Sequence, residues 1–371
     1  MSQRVCAALE AIPDALGKTG FVLEHHVAES FRAAGWATIG GRYYADDVDG
    51  RARELDLVAY KTFKFLDLTV VYGVLVSCKK DSENTWTFLT RDRPASDPNF
   101  DWEPVHYWTD VNPLENYLQS EKWKGEFLAR AKSAWEALAA TRDVFAFQQI
   151  NSEKVTPKND TAIFNSITTL MKGLDHELLA LPQRQKGKKR IYFFSLLSVV
   201  DAPLVEASYS GDVAAAKEIE GITHFARYMV RKRDMSALVR FARSDVLTAE
   251  IRKLEKLAEA TADYANLAVA ASYAAIKTNR AVQDYFSGRL ESVLGWWIRS
   301  HMNKHRISHS TAKVTALQFV NKRLRLEMDG IDDAALAFLN SDEEVMEKTK
   351  DALKRIARYE GDFEFDWDIP F

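Results

Sequence analysis

Arg53-Glu54-Leu55-Asp56-Leu57-Val58-Ala59-Tyr60, followed by the β-branched run Val70 to Val76 and then Ser77-Cys78-Lys79-Lys80, decides how this chain reads. Both runs have strand composition. Asp56 interrupts an apolar strand pattern, and a carboxylate drawn into an apolar sheet is costly unless a cation or several donors compensate it. Upstream, Tyr43, Tyr44 and the polar turn Asp46-Asp47-Val48-Asp49-Gly50 make the Asp56 segment the second arm of a hairpin. Val70 to Val76 predicts a buried strand that delivers Lys79 at its end. Before the hairpin, Leu23, Val27, Phe31 and Ala34 recur at helical spacing, so Phe21 to Ala34 predicts a helix stopped by Gly35, with Glu24 flanking its apolar stripe.

Further along, Asn112-Pro113-Leu114-Glu115 is a helix start and predicts a helix to about Thr141. Val144 to Phe147 suits a short strand, and Asp160 can cap a helix through Leu179. Gln183 to Arg190 reads as a basic loop. Ile191 to Val200 and Leu204 to Tyr209 read as strands around Asp201-Ala202-Pro203, and Ile222 to Val230 as another. From Asp245 the sequence turns helical and alanine-rich through about His305, which sets a soft boundary. The expected organisation is an α/β domain over 1–244, with a helical insertion around 113–179, and a mostly α-helical C-terminal region over 245–371. The tail from Glu360 to Asp368 is acidic and aromatic.

With 371 residues, 47% hydrophobic and 28% charged, the composition is that of a globular protein with a substantial core. A net charge of -3 means that any nucleic-acid surface is a local patch. Cys6 and Cys78 are too few for a disulfide framework or a four-cysteine zinc site, which fits a reducing compartment, the cytoplasm by default. Met1 to Lys18 lacks a secretory apolar core, and no stretch is long enough to predict a membrane span.

The order of helix acid, strand acid and strand-end lysine has a chemical rationale. Mg²⁺ takes oxygen ligands through one or two carboxylates and keeps waters and phosphate oxygens in its shell. A nearby lysine can orient the attacking water and stabilise charge growing on a phosphate.

Gly20-Phe21-Val22-Leu23-Glu24, Arg53 to Ala59 and Leu75 to Lys80 together resemble the PD-(D/E)xK, or restriction-endonuclease-like, nuclease superfamily, most nearly its Mrr-like branches. Trp86 to Phe88 and Asp201-Ala202-Pro203-Leu204 resemble companion segments of bacterial members. The likeness spans roughly the first two-thirds of the chain. It implies a restriction-endonuclease-like mixed central sheet flanked by helices. It also implies a Mg²⁺-dependent endonuclease, with Mn²⁺ as a substitute, acting on DNA or less often RNA in bacterial restriction or phage defence. By position, Glu24 and Asp56 are then the metal ligands, and Asp56 and Lys79 the catalytic pair. The family's acid two residues before the lysine is Ser77 here, and a hydroxyl is a weak metal ligand. Relatives vary at this position, with glutamine for example. Glu54, two residues before Asp56 on the same strand face, could supply the missing carboxylate. The rival is a catalytically silent nuclease fold that binds nucleic acid or a partner protein; a purely structural helical adaptor is favoured if Asp56 is exposed and unpaired. A homodimer is compatible with either nuclease-fold reading.

Other clusters read more plainly. His25 and His26 are adjacent on a helix, about 100° apart, and read as surface residues. Asp46, Asp47 and Asp49 read as a solvated turn. Between Arg299 and Arg325 no acid occurs, while Lys304, Arg306, Lys313, Lys322 and Arg323 accumulate beside His301, His305 and His309. Together with Arg299 this is a candidate phosphate-binding surface. Arg184 to Arg190 and Arg227, Arg231, Lys232, Arg233 are second and third candidates. Trp296 and Trp297 read as helix-packing residues.

Overall fold

A computed structural model describes residues 11–17, 19–66, 68–93, 103–119, 122–185, 187–210, 213–307 and 309–367. Residues 1–10, Lys186 and Asp368 lie outside that range, and with them Cys6 and part of the expected N-terminal and tail segments. The described chain is mixed α/β. Among its residues, no helix is long and apolar enough to cross a membrane.

Helix α1 (Gly20–Ala33) precedes the hairpin β1 (Ala37–Ala45) and β2 (Ala52–Lys64), which continues antiparallel into β3 (Thr69–Lys80). After β4 (Asn84–Arg91), β5 (His106–Thr109), α2 (Asn112–Leu118), α3 (Lys122–Glu136) and β6 (Asp143–Asn151), the long α4 (Thr161–Gln185) leads into β7 (Arg190–Asp201). β7 pairs parallel with β3, as a strand–helix–strand crossover requires. Next come β8 (Leu204–Ser210), β9 (Val213–Ile219), β10 (Gly221–Val230) and β11 (Arg233–Arg243). The main sheet runs β1-β2-β3-β7-β11-β10, with β5 also paired to β7, and a second sheet runs β6-β4-β8-β9.

The two faces of the main sheet are covered by different helices, and that places the site. On one face Tyr72 of β3 packs edge-on against Trp36, which packs on Phe31 of α1. On the other, Leu75 of β3 and Leu55 of β2 lie against Gly173 of α4, where a Cβ would stand 3.4 Å from Leu55. Ile163, Ile167, Leu170, Met171 and Leu174 of α4 complete that core.

Three expectations are corrected. The helix from Asn112 is two helices, because Pro113, Leu114 and Leu118 are buried in a different compact unit from Phe127 and Ala131. The helix from Asp160 runs on to Gln185 through Pro182, absorbing the start of the expected basic loop. The turn is exposed at Val48, Asp49 and Gly50, but the Asp46 and Asp47 carboxylates are not left to solvent: the Lys172 ammonium of α4 reaches them at 3.0 and 2.8 Å, with all three side chains 10% exposed or less. A buried lysine needs such partners.

By compactness the described chain divides into Met1–Asp110 with Lys124–Tyr264, and Val111–Trp123 with Ala265–Phe371. The composition change at Asp245 coincides with the start of α5 (Leu247–Ala274), and the division falls within that helix. The second unit contains α6 (Arg280–Leu290), α7 (Trp296–Lys304), α8 (Asp333–Ser341) and α9 (Glu343–Ala357). It is mostly helical, yet β12 (Lys313–Val320), β13 (Arg323–Asp329) and β14 (Phe363–Trp367) form a small sheet that was not foreseen.

Candidate active site

Glu24, Asp56 and Lys79 come together at the α1 side of the main sheet. Leu55 and Val58, three residues apart, both pack with Leu75 against α4, so strict alternation breaks around Asp56; its carboxylate is placed by its bond to the end of β3 and by its electrostatic coupling to Glu24, half-buried on α1. Asp56 Oδ2 accepts the Cys78 N–H at 2.6 Å and lies 3.5 Å from Lys79 Nζ. The side chains of Asp56 and Lys79 are 15% and 28% exposed, so the pair is sheltered but reachable. This excludes the premise of the adaptor reading, an exposed and unpaired Asp56.

The electrostatics join Glu24 to the same cluster. Burial, then the carboxylates of Asp56 and Glu54, push the Glu24 carboxyl above its ordinary value, against the opposing pull of Lys79. Glu54 is exposed and accepts the Tyr43 hydroxyl at 3.3 Å. Three carboxylates therefore share a locality with one ammonium, an excess of negative charge that suits a hard divalent cation. Glu24 and Asp56, with Glu54 at the rim, are the residues that fit Mg²⁺ there.

Ser77 stands elsewhere. It is fully buried, its hydroxyl has no hydrogen-bond partner, and it lies opposite Ser198 of β7, whose hydroxyl is bonded by Ser166 of α4 at 2.7 Å. Strand alternation puts it with Leu75 on the α4 face; Lys79 starts from that same face, and its long side chain reaches Asp56 from the strand end. Among the described residues no hydrogen bond joins its hydroxyl to Asp56, Glu24 or Lys79. The residue that β3 turns toward the acids is Cys78. Burial raises its thiol pKa strongly, Asp56 and Glu24 raise it further, and Lys79 opposes them, so the thiol is neutral. Counting in twos from the core residue Tyr72 leads to Cys78 and leaves Ser77 and Lys79 on the other face, from which the long Lys79 side chain reaches Asp56. Lys80 donates to Gly17 O at 2.6 Å and lies 3.4 Å from Asp201, engaged away from Asp56.

The basic segments are less basic in three dimensions than along the chain. Arg299 bonds Glu291 Oε1 at 2.9 Å and Ala312 O at 2.7 Å, Lys313 lies 3.6 Å from Asp329, and Arg323 lies 3.5 Å from Glu364. These acids come from before or after the acid-free stretch, which is why a linear count overstated the patch. Lys304, Arg306 and Lys322 are exposed, and no ion pair is seen for them among the described residues. Lys322 sits with Asn321 at positive φ in the β12–β13 turn. Arg231 and Arg233 both reach Asp175, at 2.8 and 3.3 Å, and Arg184 lies 3.5 Å from Glu177. His25 and His26 are exposed. Trp296, expected to pack, is 75% exposed because α7 buries Ile298, His301 and Met302 instead.

Comparison with family models, with curated proteins and with solved structures found no match to this chain.

Proposed function

We propose that the unit containing Glu24, Asp56 and Lys79 is a metal-dependent endonuclease of the restriction-endonuclease-like kind, hydrolysing DNA phosphodiester bonds in a cytoplasmic defence or restriction role. The observation that carries this reading is the gathering of three carboxylates and one lysine at the end of β3, on a mixed sheet flanked by helices.

Bound Mg²⁺ would supply Lewis-acid activation of water and phosphate. Asp56 is held in place by the Cys78 N–H, which fixes the carboxylate without neutralising it. Glu24 brings a second carboxylate whose repulsion with Asp56 is relieved when a cation binds. The Lys79 ammonium beside Asp56 can orient water for in-line attack and stabilise the negative charge growing on the phosphate. The exposed Lys304, Arg306 and Lys322 are the remaining candidates for phosphate contacts.

Incubating the full chain with supercoiled plasmid, linear duplex and single strands, in Mg²⁺, Mn²⁺ or EDTA, tests the reading. Cleavage that needs a divalent ion and disappears in Asp56→Ala supports it; cleavage undiminished in that variant overturns it. One observation favours the rival, a silent nuclease fold that binds nucleic acid or a partner: β3 itself offers no carboxylate to the cluster, with a buried hydroxyl at Ser77 and a neutral thiol at Cys78. Binding without cleavage under every divalent ion would select that reading.

A further inference from the structure

A second cluster of ligating side chains lies in the C-terminal unit. His301 and His305 are one helical turn apart on α7 and its cap, so both imidazoles project from one face. Asp342, which caps the N-terminus of α9, comes up against them, and the potential ligand atoms of all three lie within 4.8 Å of one another. His301 is 5% exposed, its Nε2 is 3.1 Å from Asp342 Oδ1, and its Nδ1 is 3.7 Å from Glu344 Oε2. Trp297 stacks on the His301 ring at 4.9 Å, and Phe338 packs against His301 and His305 at 5.9 and 5.3 Å.

We propose that His301, His305 and Asp342 form a binding site for a borderline-soft divalent metal, Zn²⁺ first among them. Two imidazoles and one carboxylate are the donor set of zinc rather than of Mg²⁺ or Ca²⁺, which take oxygen ligands. Ligands about 2.0–2.1 Å from a tetrahedral ion stand about 3.3 Å from each other, near the separation already held by His301 and Asp342. His305 is exposed at the helix end, its ring 4.6 Å from that of His301, so a rotation of the side chain closes the remaining distance. The surroundings also match a metal centre. Glu344 faces the other nitrogen of His301, where a carboxylate orients a ligating imidazole, and the aromatic rings narrow access by water. A metal there would tie the end of α7 to the start of α9. This site is independent of the cluster at Asp56.

The bland alternative is a helix cap, since Asp342 Oδ1 also accepts the Val345 N–H at 3.0 Å. The test separates the two. Titrate the full-length protein, carrying no histidine tag and in excess Mg²⁺, with ZnCl2 by calorimetry, and with CoCl2 by visible absorption. Include His305→Ala, Asp342→Asn, which keeps the cap, and Glu344→Gln. The expected results are one Zn²⁺ per chain, a visible band of four-coordinate Co²⁺, and a rise in Tm on adding Zn²⁺. Glu344→Gln should weaken binding about 10-fold, and the two ligand variants should weaken it more, with metal-free melting unchanged in His305→Ala. No stoichiometric Zn²⁺ binding, or binding retained in both ligand variants, overturns the proposal.

Discussion

Lys79 Nζ lies 3.5 Å from Asp56 Oδ2, the same oxygen that accepts the Cys78 N–H. One carboxylate oxygen thus ties the end of β3 to β2 twice, once through backbone and once through a long side chain. The other oxygen, Oδ1, has no hydrogen bond among the described residues and is the one turned to ligand duty in the proposed reaction.

This arrangement sets the first prediction. Lys79→Met should lower divalent-dependent cleavage by about 100-fold or more, the loss of roughly 3 kcal/mol of transition-state stabilisation. The fold should hardly notice, because a partly exposed pair contributes about 0–1 kcal/mol. Plasmid-nicking rates measured beside melting temperatures check both halves; a variant that melts early and still cuts would contradict the assignment.

Glu24 gives a prediction about pH. Burial, Asp56 and Glu54 raise its folded-state pKa above the unfolded value, so ionisation penalises the folded state. The penalty is absent below the unfolded pKa, where both states are protonated, and complete above the raised folded pKa. Without metal, Glu24→Gln should therefore raise Tm at pH 7 and give no gain once the pH falls below the ordinary glutamate range. Mg²⁺ should stabilise the native chain more than the variant. A thermal-shift series over pH, with and without Mg²⁺, reads both effects, and a variant that melts lower than native at pH 7 would refute them.

The basic stretch from Arg299 to Arg325 divides by its partners. Arg323 faces Glu364, so Arg323→Glu should cost up to about 1 kcal/mol through repulsion across the β13–β14 pair. Lys322, at the turn, should tolerate Glu without loss of Tm. If the turn contacts phosphate, Lys322→Glu should reduce the slope of log affinity against log salt by about 1. Fluorescence anisotropy on a labelled duplex across a salt series measures it; an unchanged slope would remove the turn from the interface.

Sequence made the main sheet's first three strands legible because their pattern is local. Period-two apolar runs, the Asp46 to Gly50 turn and the Leu23-Val27-Phe31 stripe each carry their own signal. What stayed hidden depended on distant partners. Lys172 lies more than a hundred residues from Asp46 and Asp47. The acids that neutralise Arg299, Lys313 and Arg323 arrive from Glu291, Asp329 and Glu364, on other elements or across a hairpin. The Asp342 beside His301 comes from the next helix pair. Alternation along β3 separates Cys78 from Ser77 and Lys79, and the reach of the Lys79 side chain to Asp56 at the strand end has no local signal.

Lys172 supplies a stability test. Burial opposes the ionisation of Asp46 and Asp47, yet hydrogen bonds from Val48 N–H, Arg231 N–H and Lys172 outweigh it and hold both carboxyls below their ordinary range. Burial likewise opposes the charge on Lys172, and the two aspartates outweigh it, raising its pKa. The cluster therefore holds through neutral pH, weakens as pH falls through the depressed aspartate values, and weakens again as pH rises through the raised lysine value. Lys172→Ala leaves Asp46 with Arg53 at 3.5 Å and Asp47 with the Arg231 N–H, and should cost about 1–3 kcal/mol. Urea unfolding at pH 7 measures this, and a loss below about 1 kcal/mol would show that water reaches the turn.

Ser77 gives the sharpest contrast between motif and structure. On motif spacing alone, Ser77→Glu restores the missing acid and should recover or improve cleavage. In the fold, the side chain at this position is fully buried on the α4 face, opposite Ser198, whose hydroxyl is bonded by Ser166, and among the described residues no ion pair involves this position. A carboxylate forced there is either protonated or unpaired, and Ser77→Glu should destabilise the chain by about 3 kcal/mol or more without raising cleavage or divalent affinity. Cys78→Asp places the acid instead beside Asp56 and Glu24, so it should be destabilised in EDTA and recover on adding Mg²⁺ or Mn²⁺, because the added charge then has a counter-ion. Melting curves of both variants with and without divalent ions separate the two positions. Metal-dependent rescue of Ser77→Glu but not of Cys78→Asp would mean that β3 presents the opposite face to the site.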